Sequence, residues 1–151
     1  MLCAVAGGGA KSMVRVGGYN DRQGIQQALD LGADGVLVPM IDTAEEARIA
    51  VDACKYPMEG TRSVYFPQRC TNKDGLLGYV GSANKNVIVA LQVETHSCIK
   101  NMDAIAAVPG IDMLFLGQND LCMSAGLYVK YQVRALLSCA DLALLARPPA
   151  N

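Results

Sequence analysis

An α/β fold built around a parallel sheet is what the sequence predicts, and three observations carry that expectation. Continuous apolar runs, Gly35-Val36-Leu37-Val38-Pro39-Met40 and Val87-Ile88-Val89-Ala90-Leu91, have the pattern of strands covered by helices on both faces. The segments between such runs carry helical spacing with start and stop signals. From Met13 to Gly117 the order is strand, helix, strand, helix, strand, helix, strand, which asks for crossovers of one hand between parallel strands.

Met1 to Lys11 is small and glycine-rich, and residues 1–12 are expected to be a disordered lead-in; Gly7-Gly8-Gly9 is too loose for a phosphate loop. Ser12 to Val16 is a short strand carrying Arg15. Inside a buried strand a guanidinium needs an anionic partner, whereas at a strand end it reaches solvent, and the residues leave both readings open. Asn20 or Asp21 caps a helix running to Leu31, with Ile25, Ala28 and Leu29 inward and Gly32 at the C-cap. Thr43 and Glu46 form a capping box opening a helix that buries Ala47, Ala50, Val51 and Cys54. Pro57 and Gly60 end it, and a brief extended segment follows at 61–64. Residues 65–75 have the polar, irregular character of a lid or active-site loop. A short helix over 76–83 leads into the strand at Val87. Ile99, Met102, Ile105 and Ala106 supply the next crossover helix, stopped by Pro109-Gly110, and Met113-Leu114-Phe115-Leu116 is the fourth strand.

The third and fourth strands each run into a carboxylate, Glu94 and Asp120. A β-α-β unit places both acids at the carboxyl ends of neighbouring parallel strands, where α/β folds bind their ligands. Two such carboxylates repel unless a proton or a hard cation such as Mg²⁺ or Mn²⁺ lies between them. The plainer reading makes each an ordinary strand-to-loop acid, and periodicity by itself leans slightly to that side.

With 13 basic and 14 acidic residues the chain has no electrostatic footprint for nucleic acid or an anionic membrane, so a small metabolite is the expected ligand. No apolar stretch approaches the roughly 20 residues of a membrane span, and no signal peptide is visible at the start, which places the chain in the cytoplasm. The six cysteines form no C-x-x-C pair and read as free thiols, several of them in the core. His96, the one histidine, follows a strand at a helix start, where exposure is expected.

Six strings in order carry a family resemblance: Met13-Val14-Arg15-Val16, Ala33-Asp34-Gly35-Val36-Leu37-Val38-Pro39-Met40, Gly60-Thr61-Arg62-Ser63, Ala83-Asn84, Leu91-Gln92-Val93-Glu94-Thr95 and Phe115-Leu116-Gly117-Gln118-Asn119-Asp120-Leu121. Over roughly Met13 to Leu127 the chain resembles the HpcH/HpaI aldolase/citrate lyase family, metal-dependent pyruvate aldolases of the phosphoenolpyruvate-binding barrel superfamily. The resemblance implies a partial TIM (β/α)8 barrel at 13–128, with about four of the eight strands that a closed barrel needs. It implies Glu94 and Asp120 as ligands of a divalent cation, Mg²⁺ or Mn²⁺, and Arg15 as the catalytic guanidinium touching the keto acid. Gln92, Asn119 and Asp120 become substrate-binding residues. The implied reaction is cleavage of a 2-keto-4-hydroxy acid to pyruvate and an aldehyde, with a family-like homo-oligomer as the implied assembly.

Two departures accompany the resemblance. Family members have two further strands before the one bearing Arg15, with an acidic residue and a histidine base in the loop after the second; residues 1–12 supply neither. The aspartate that pairs with that histidine falls on Asp30. Residues 129–151 match nothing in the family and read as an atypical helical tail, with Leu136, Leu137, Leu142, Leu144 and Leu145 nearly encircling a helix. The alternative to an aldolase is accordingly a catalytically inactive half barrel that binds a metal weakly or serves as an interaction module.

Overall fold

Four strands, β1 (Met13–Arg15), β2 (Gly35–Val38), β3 (Ile88–Val93) and β4 (Met113–Leu116), lie side by side in chain order, and every neighbouring pair is parallel. The computed structural model describes residues 1–64 and 75–126. The expected loop at 65–75 therefore lies outside the described residues except for Gly75, and so does the tail at 129–151.

The register sorts the side chains onto two faces. Val14, Val36 and Val89 align across the first three strands, and Val38, Leu91 and Leu114 across the last three. With Val93 and Leu116 they form one face, and its β2 and β3 members join the main core. The other face carries Met13 and Arg15 of β1, Leu37 of β2, Ala90 and Gln92 of β3, and Met113 and Phe115 of β4. A sheet whose strands follow chain order with helices between them is a partial (β/α)8 barrel, as the sequence predicts.

The helices form where their signals lie. In α2 (Arg22–Asp30) the Asp21 side chain accepts from the N–H of Gly24 at 2.9 Å, and Ile25, Ala28 and Leu29 are buried. Gly32 follows with φ of 91°, the left-handed conformation that ends a helix without strain in glycine. In α3 (Ala44–Cys54) both halves of the Thr43–Glu46 capping box are present, and Ala47, Ala50, Val51 and Cys54 turn inward. A helix α4 (Gly75–Asn86) precedes β3.

Several details differ from expectation. Leu2–Gly7 forms a short helix, α1, where a disordered lead-in is expected. It is a local run of helix-compatible residues, mostly exposed and without a side-chain cap. The crossover between β3 and β4 is split into α5 (His96–Lys100) and α6 (Met102–Ala106). The break is at Asn101, whose amide side chain donates to the Asp42 carbonyl at 2.8 Å. Ile105 and Val108 go into the core, while Ala106 is exposed.

The largest difference is β4. Its composition predicts burial on both faces, yet all four residues are exposed, because β4 is the edge of the sheet and no described element covers it. Met13 and Arg15, on β1 at the opposite edge, are exposed too.

Candidate active site

The residue that closes β3, Val93, delivers the next one, Glu94, to the mouth of the sheet. Glu94 is 1 % exposed, and one of its carboxylate oxygens, Oε1, accepts from the backbone N–H of Met40 at 2.8 Å. Met40 follows β2 with φ of 56°, a left-handed conformation uncommon for a residue with a side chain. That turn aims its N–H across the sheet at Glu94.

The second carboxylate oxygen, Oε2, has no hydrogen-bond donor among the described residues, and neither has the buried Oε1 of Gln92. Gln92 and Glu94 alternate to the same side of β3. Gly117, immediately after β4, makes room for both. A Cβ there would come within 2.7 Å of Gln92 Nε2, Glu94 Cβ and Glu94 Oε2. A glycine is therefore required by close approach. The donorless Glu94 Oε2 and the amide nitrogen of Gln92 thus border a notch that a side chain at 117 would fill.

Asp120 stands beside them, exposed, in the first turn of α7 (Gln118–Ser124). Burial pushes the Glu94 carboxyl above its ordinary range; the Met40 N–H opposes the rise, the Asp120 charge adds to it, and Arg15 opposes it. The two carboxylates hydrogen-bond only when they share a proton, so in the ionised pair Oε2 lacks a donor. Arg15 is thus within electrostatic reach of Glu94 although its side chain is exposed. The strand-end reading of Arg15 is the one the structure adopts.

The base of this corner is pinned by a second layer. The Thr95 hydroxyl hydrogen-bonds to Asp42, and Thr95 caps α5 by accepting from the Cys98 N–H at 2.9 Å. Asp42 and Thr43 both donate backbone N–H groups to Glu46 Oε2, at 2.7 and 3.1 Å. The loops after β2 and β3 are therefore tied to each other directly behind the carboxylates.

Arg15, Gln92, Glu94, Asn119 and Asp120 all sit at or just beyond the carboxyl ends of their strands, Asn119 exposed beside Asp120. Asp30 does not join them. It ends α2, on the run leading into β2, and its carboxylate is held by Arg62 at 2.7 Å. Arg62 is 2 % exposed, bonds the Tyr79 hydroxyl at 3.2 Å, and lies over the Tyr56 ring at 4.4 Å from the centroid. His96 is partly buried, with its backbone N–H donating to the Ser124 hydroxyl at 2.9 Å. Cys54, Cys98 and Cys122 are free and buried, and burial pushes the Cys54 thiol up to about 12 and that of Cys98 to about 11, as befits inert core thiols.

Sequence reasoning misses the contributions of Met40 and Gly117. The Pro39-Met40 and Leu116-Gly117 pairs stand in the sequence, but a left-handed methionine and a contact between strands become visible only in three dimensions.

Fold and site together define a class: a partial barrel of parallel strands with two carboxylates meeting at their carboxyl ends. The family model for HpcH/HpaI aldolase/citrate lyase matches residues 1–151, and the chain belongs to that family. It is 44 % identical over 126 residues to a 2-dehydro-3,6-dideoxy-6-sulfogluconate aldolase of Pseudomonas putida, covering 83 % of this chain and 49 % of that protein. To a 4-hydroxy-2-oxovalerate aldolase of Novosphingobium aromaticivorans it is 42 % identical over 133 residues, covering 88 % of this chain and 50 % of that one. The crystal structure of an HpcH/HpaI aldolase from Desulfitobacterium hafniense superposes with a TM-score of 0.80 at 25 % identity, covering 96 % of this chain and 55 % of the other. The chain thus spans about half the length of the curated relatives it matches.

Proposed function

We propose that this chain carries the cation-binding corner of a divalent-metal-dependent aldolase, which cleaves a 2-keto-4-hydroxy acid to pyruvate and an aldehyde. The observation that supports this most directly is the notch at Gly117, where Glu94 Oε2 faces no donor while Asp120 stands alongside. A carboxylate oxygen without a donor, beside a second carboxylate that repels it, suits a cation. Among the described residues no group of three or more His, Cys, Asp or Glu gathers at one point. One or two carboxylates completed by water and substrate oxygens is the usual manner of holding Mg²⁺, and Mn²⁺ shares its preference for oxygen.

The cation would be held by Glu94 and Asp120, and when bound it supplies Lewis-acid polarisation of the substrate's keto oxygen. Arg15, on the same mouth of the sheet, stabilises negative charge that develops on that oxygen. Gln92 Nε2 offers a donor to a substrate oxygen. Asn119 and Asp120 lie in the first turn of α7, where backbone N–H groups without intrahelical acceptors are placed to receive a carboxylate. A keto acid is the expected small-molecule substrate on the same grounds. No described helix is long and apolar enough to cross a membrane.

One observation favours a second reading. Cleavage needs a base for the 4-hydroxyl proton, and Asp30, the residue tied to that base by resemblance, is bound to Arg62 away from the corner. On this reading the half barrel binds the cation without turnover. A metal-free sample titrated with Mn²⁺ and followed by electron paramagnetic resonance, with pyruvate release from 2-keto-4-hydroxy acids measured in parallel, separates the two. Mn²⁺-dependent release that disappears in Asp120→Ala supports the aldolase. Binding without release supports the silent module, and no binding sinks both.

A further inference from the structure

Given the cation-binding reading, on which this rests, we infer that Asp42 is a positioning residue for the corner. With Thr95 it clasps the loops after β2 and β3 together, so that the Met40 N–H stays on Glu94 Oε1 and Oε2 is left to the notch at Gly117. A left-handed backbone at a residue with a side chain is strained, and it persists only where its surroundings impose it. The Met40 side chain does not impose it, being 54 % exposed. Its flanks do. Pro39 has φ fixed by its ring, Ile41 is fully buried, and Asp42 is anchored on three sides.

The three anchors of Asp42 use its backbone and its side chain together. Its N–H donates to Glu46 Oε2 at 2.7 Å, its carbonyl accepts from Asn101 Nδ2 at 2.8 Å, and its carboxylate accepts from the Thr95 hydroxyl. The first two hold the loop after β2, and the third reaches the residue next to Glu94. Thr95 is buried, and its oxygen also accepts from the Cys98 N–H at 2.9 Å, so the hydroxyl is engaged both as donor and as acceptor. Two cross-links therefore join the same pair of loops, Met40 to Glu94 and Asp42 to Thr95. The second keeps the first in register.

A carboxylate at a strand end can turn about its last bond and exchange its two oxygens. Here Oε1 is committed to Met40, and Oε2 is the oxygen left without a donor. The clasp thus selects which oxygen meets a cation before any cation arrives. Asp42 is not a third ligand, since among the described residues no group of three His, Cys, Asp or Glu gathers at one point. Side chains that orient a ligand from behind in this way typically change metal affinity 10- to 100-fold.

Two measurements on the full chain test this: Mn²⁺ titration followed by electron paramagnetic resonance, and the Met40 amide resonance of metal-free protein, which a bond to a carboxylate moves downfield. Asp42→Ala removes the link and leaves Thr95 capping α5. With Glu94 and Asp120 both present it should weaken Mn²⁺ binding by roughly 10- to 100-fold and move the Met40 amide upfield. Asp42→Asn keeps an oxygen for the Thr95 hydroxyl and should restore both readouts. If Asn and Ala behave alike, Asp42 acts through charge alone and the proposal is overturned. Affinity lost with the Met40 amide unmoved overturns it too, because the clasp works through that bond. Should Asp42→Ala fail to fold, Asn101→Ala removes an exposed donor from the Asp42 carbonyl, and the same two changes in smaller measure support the clasp while unchanged readouts overturn it. A parent chain that binds no Mn²⁺ sinks the cation reading and this inference with it. Parent binding that Asp42→Ala leaves intact removes this inference alone.

Discussion

Glu94 is held in two ways that oppose each other: the Met40 N–H favours its charge, while burial and Asp120 disfavour it, and the net effect raises its pKa. The sign of the pH dependence follows. Between the ordinary value of 4.5 and the raised folded-state value, the native chain binds more protons than the unfolded one, so stability falls as pH climbs through that window and then levels. Glu94→Gln keeps the acceptor for Met40 and removes the charge. At neutral pH without metal it should be more stable than the parent by on the order of 1 kcal/mol, because it removes a buried charge with one unpartnered oxygen. Thermal denaturation at several pH values checks this, and the difference should vanish below the ordinary carboxyl range. The same variant should lose Mn²⁺ binding. Gly117→Ala tests the notch from the other side: its Cβ would press on Gln92 and Glu94 at 2.7 Å, an overpacking cost of about 1–3 kcal/mol. Loss of Mn²⁺ binding with Glu94 and Asp120 both present is the expected result, read by resonance titration of the folded variant. The acids were legible in the sequence because each follows an apolar strand. Their geometry was not, since it depends on a left-handed Met40 and on a contact between β3 and the end of β4.

Among the elements, α2 and α3 follow their sequence signals most closely, since Asp21 and the Thr43–Glu46 box act over three residues and need no distant partner. The crossover after β3 was less legible. Its apolar spacing is continuous, but Asn101 gives its side chain to the loop after β2, and that tertiary bond replaces one helix with two. Arg62 shows the same limit. It follows Gly60 in an unremarkable polar string, yet it is buried against Tyr56 and Tyr79 and tethers the segment after α3 to the end of α2 through Asp30. Removing one partner of a buried pair strands the other charge. Arg62→Met should therefore cost roughly 3–5 kcal/mol in urea denaturation. The double variant Arg62→Met with Asp30→Asn should recover a large part of that loss. If the single variant costs no more than an exposed pair such as Arg48–Glu45, the tether is not a structural support.

At the scale of the molecule, cohesion is distributed unevenly across the sheet. The face formed by Val36, Val38, Val89, Leu91 and Val93 packs against Ile25, Leu29, Ala47, Ala50 and Ile105, nearly all of them fully buried. Apolar burial at this density is what opposes the chain's conformational entropy, and it is concentrated under β2 and β3. The edge strands share in it less: β4 is exposed along its length, and β1 contributes Val14 only as a partly buried side chain. The four-strand count and parallel order were readable from composition because runs of Val, Ile and Leu mark strands whatever lies beside them. The asymmetry was not, because the same run signals a strand covered on both faces and does not say what covers it. Native-state hydrogen exchange should display the gradient. The amides of β2 and β3 should exchange only through global unfolding, with a denaturant dependence equal to that of the whole molecule. Those of β4 should exchange through smaller openings with weaker denaturant dependence. Uniform protection across all four strands would mean that β4 is as firmly held as the centre of the sheet, and the cohesion of the sheet would then have to be assigned to contacts beyond the β2 and β3 core.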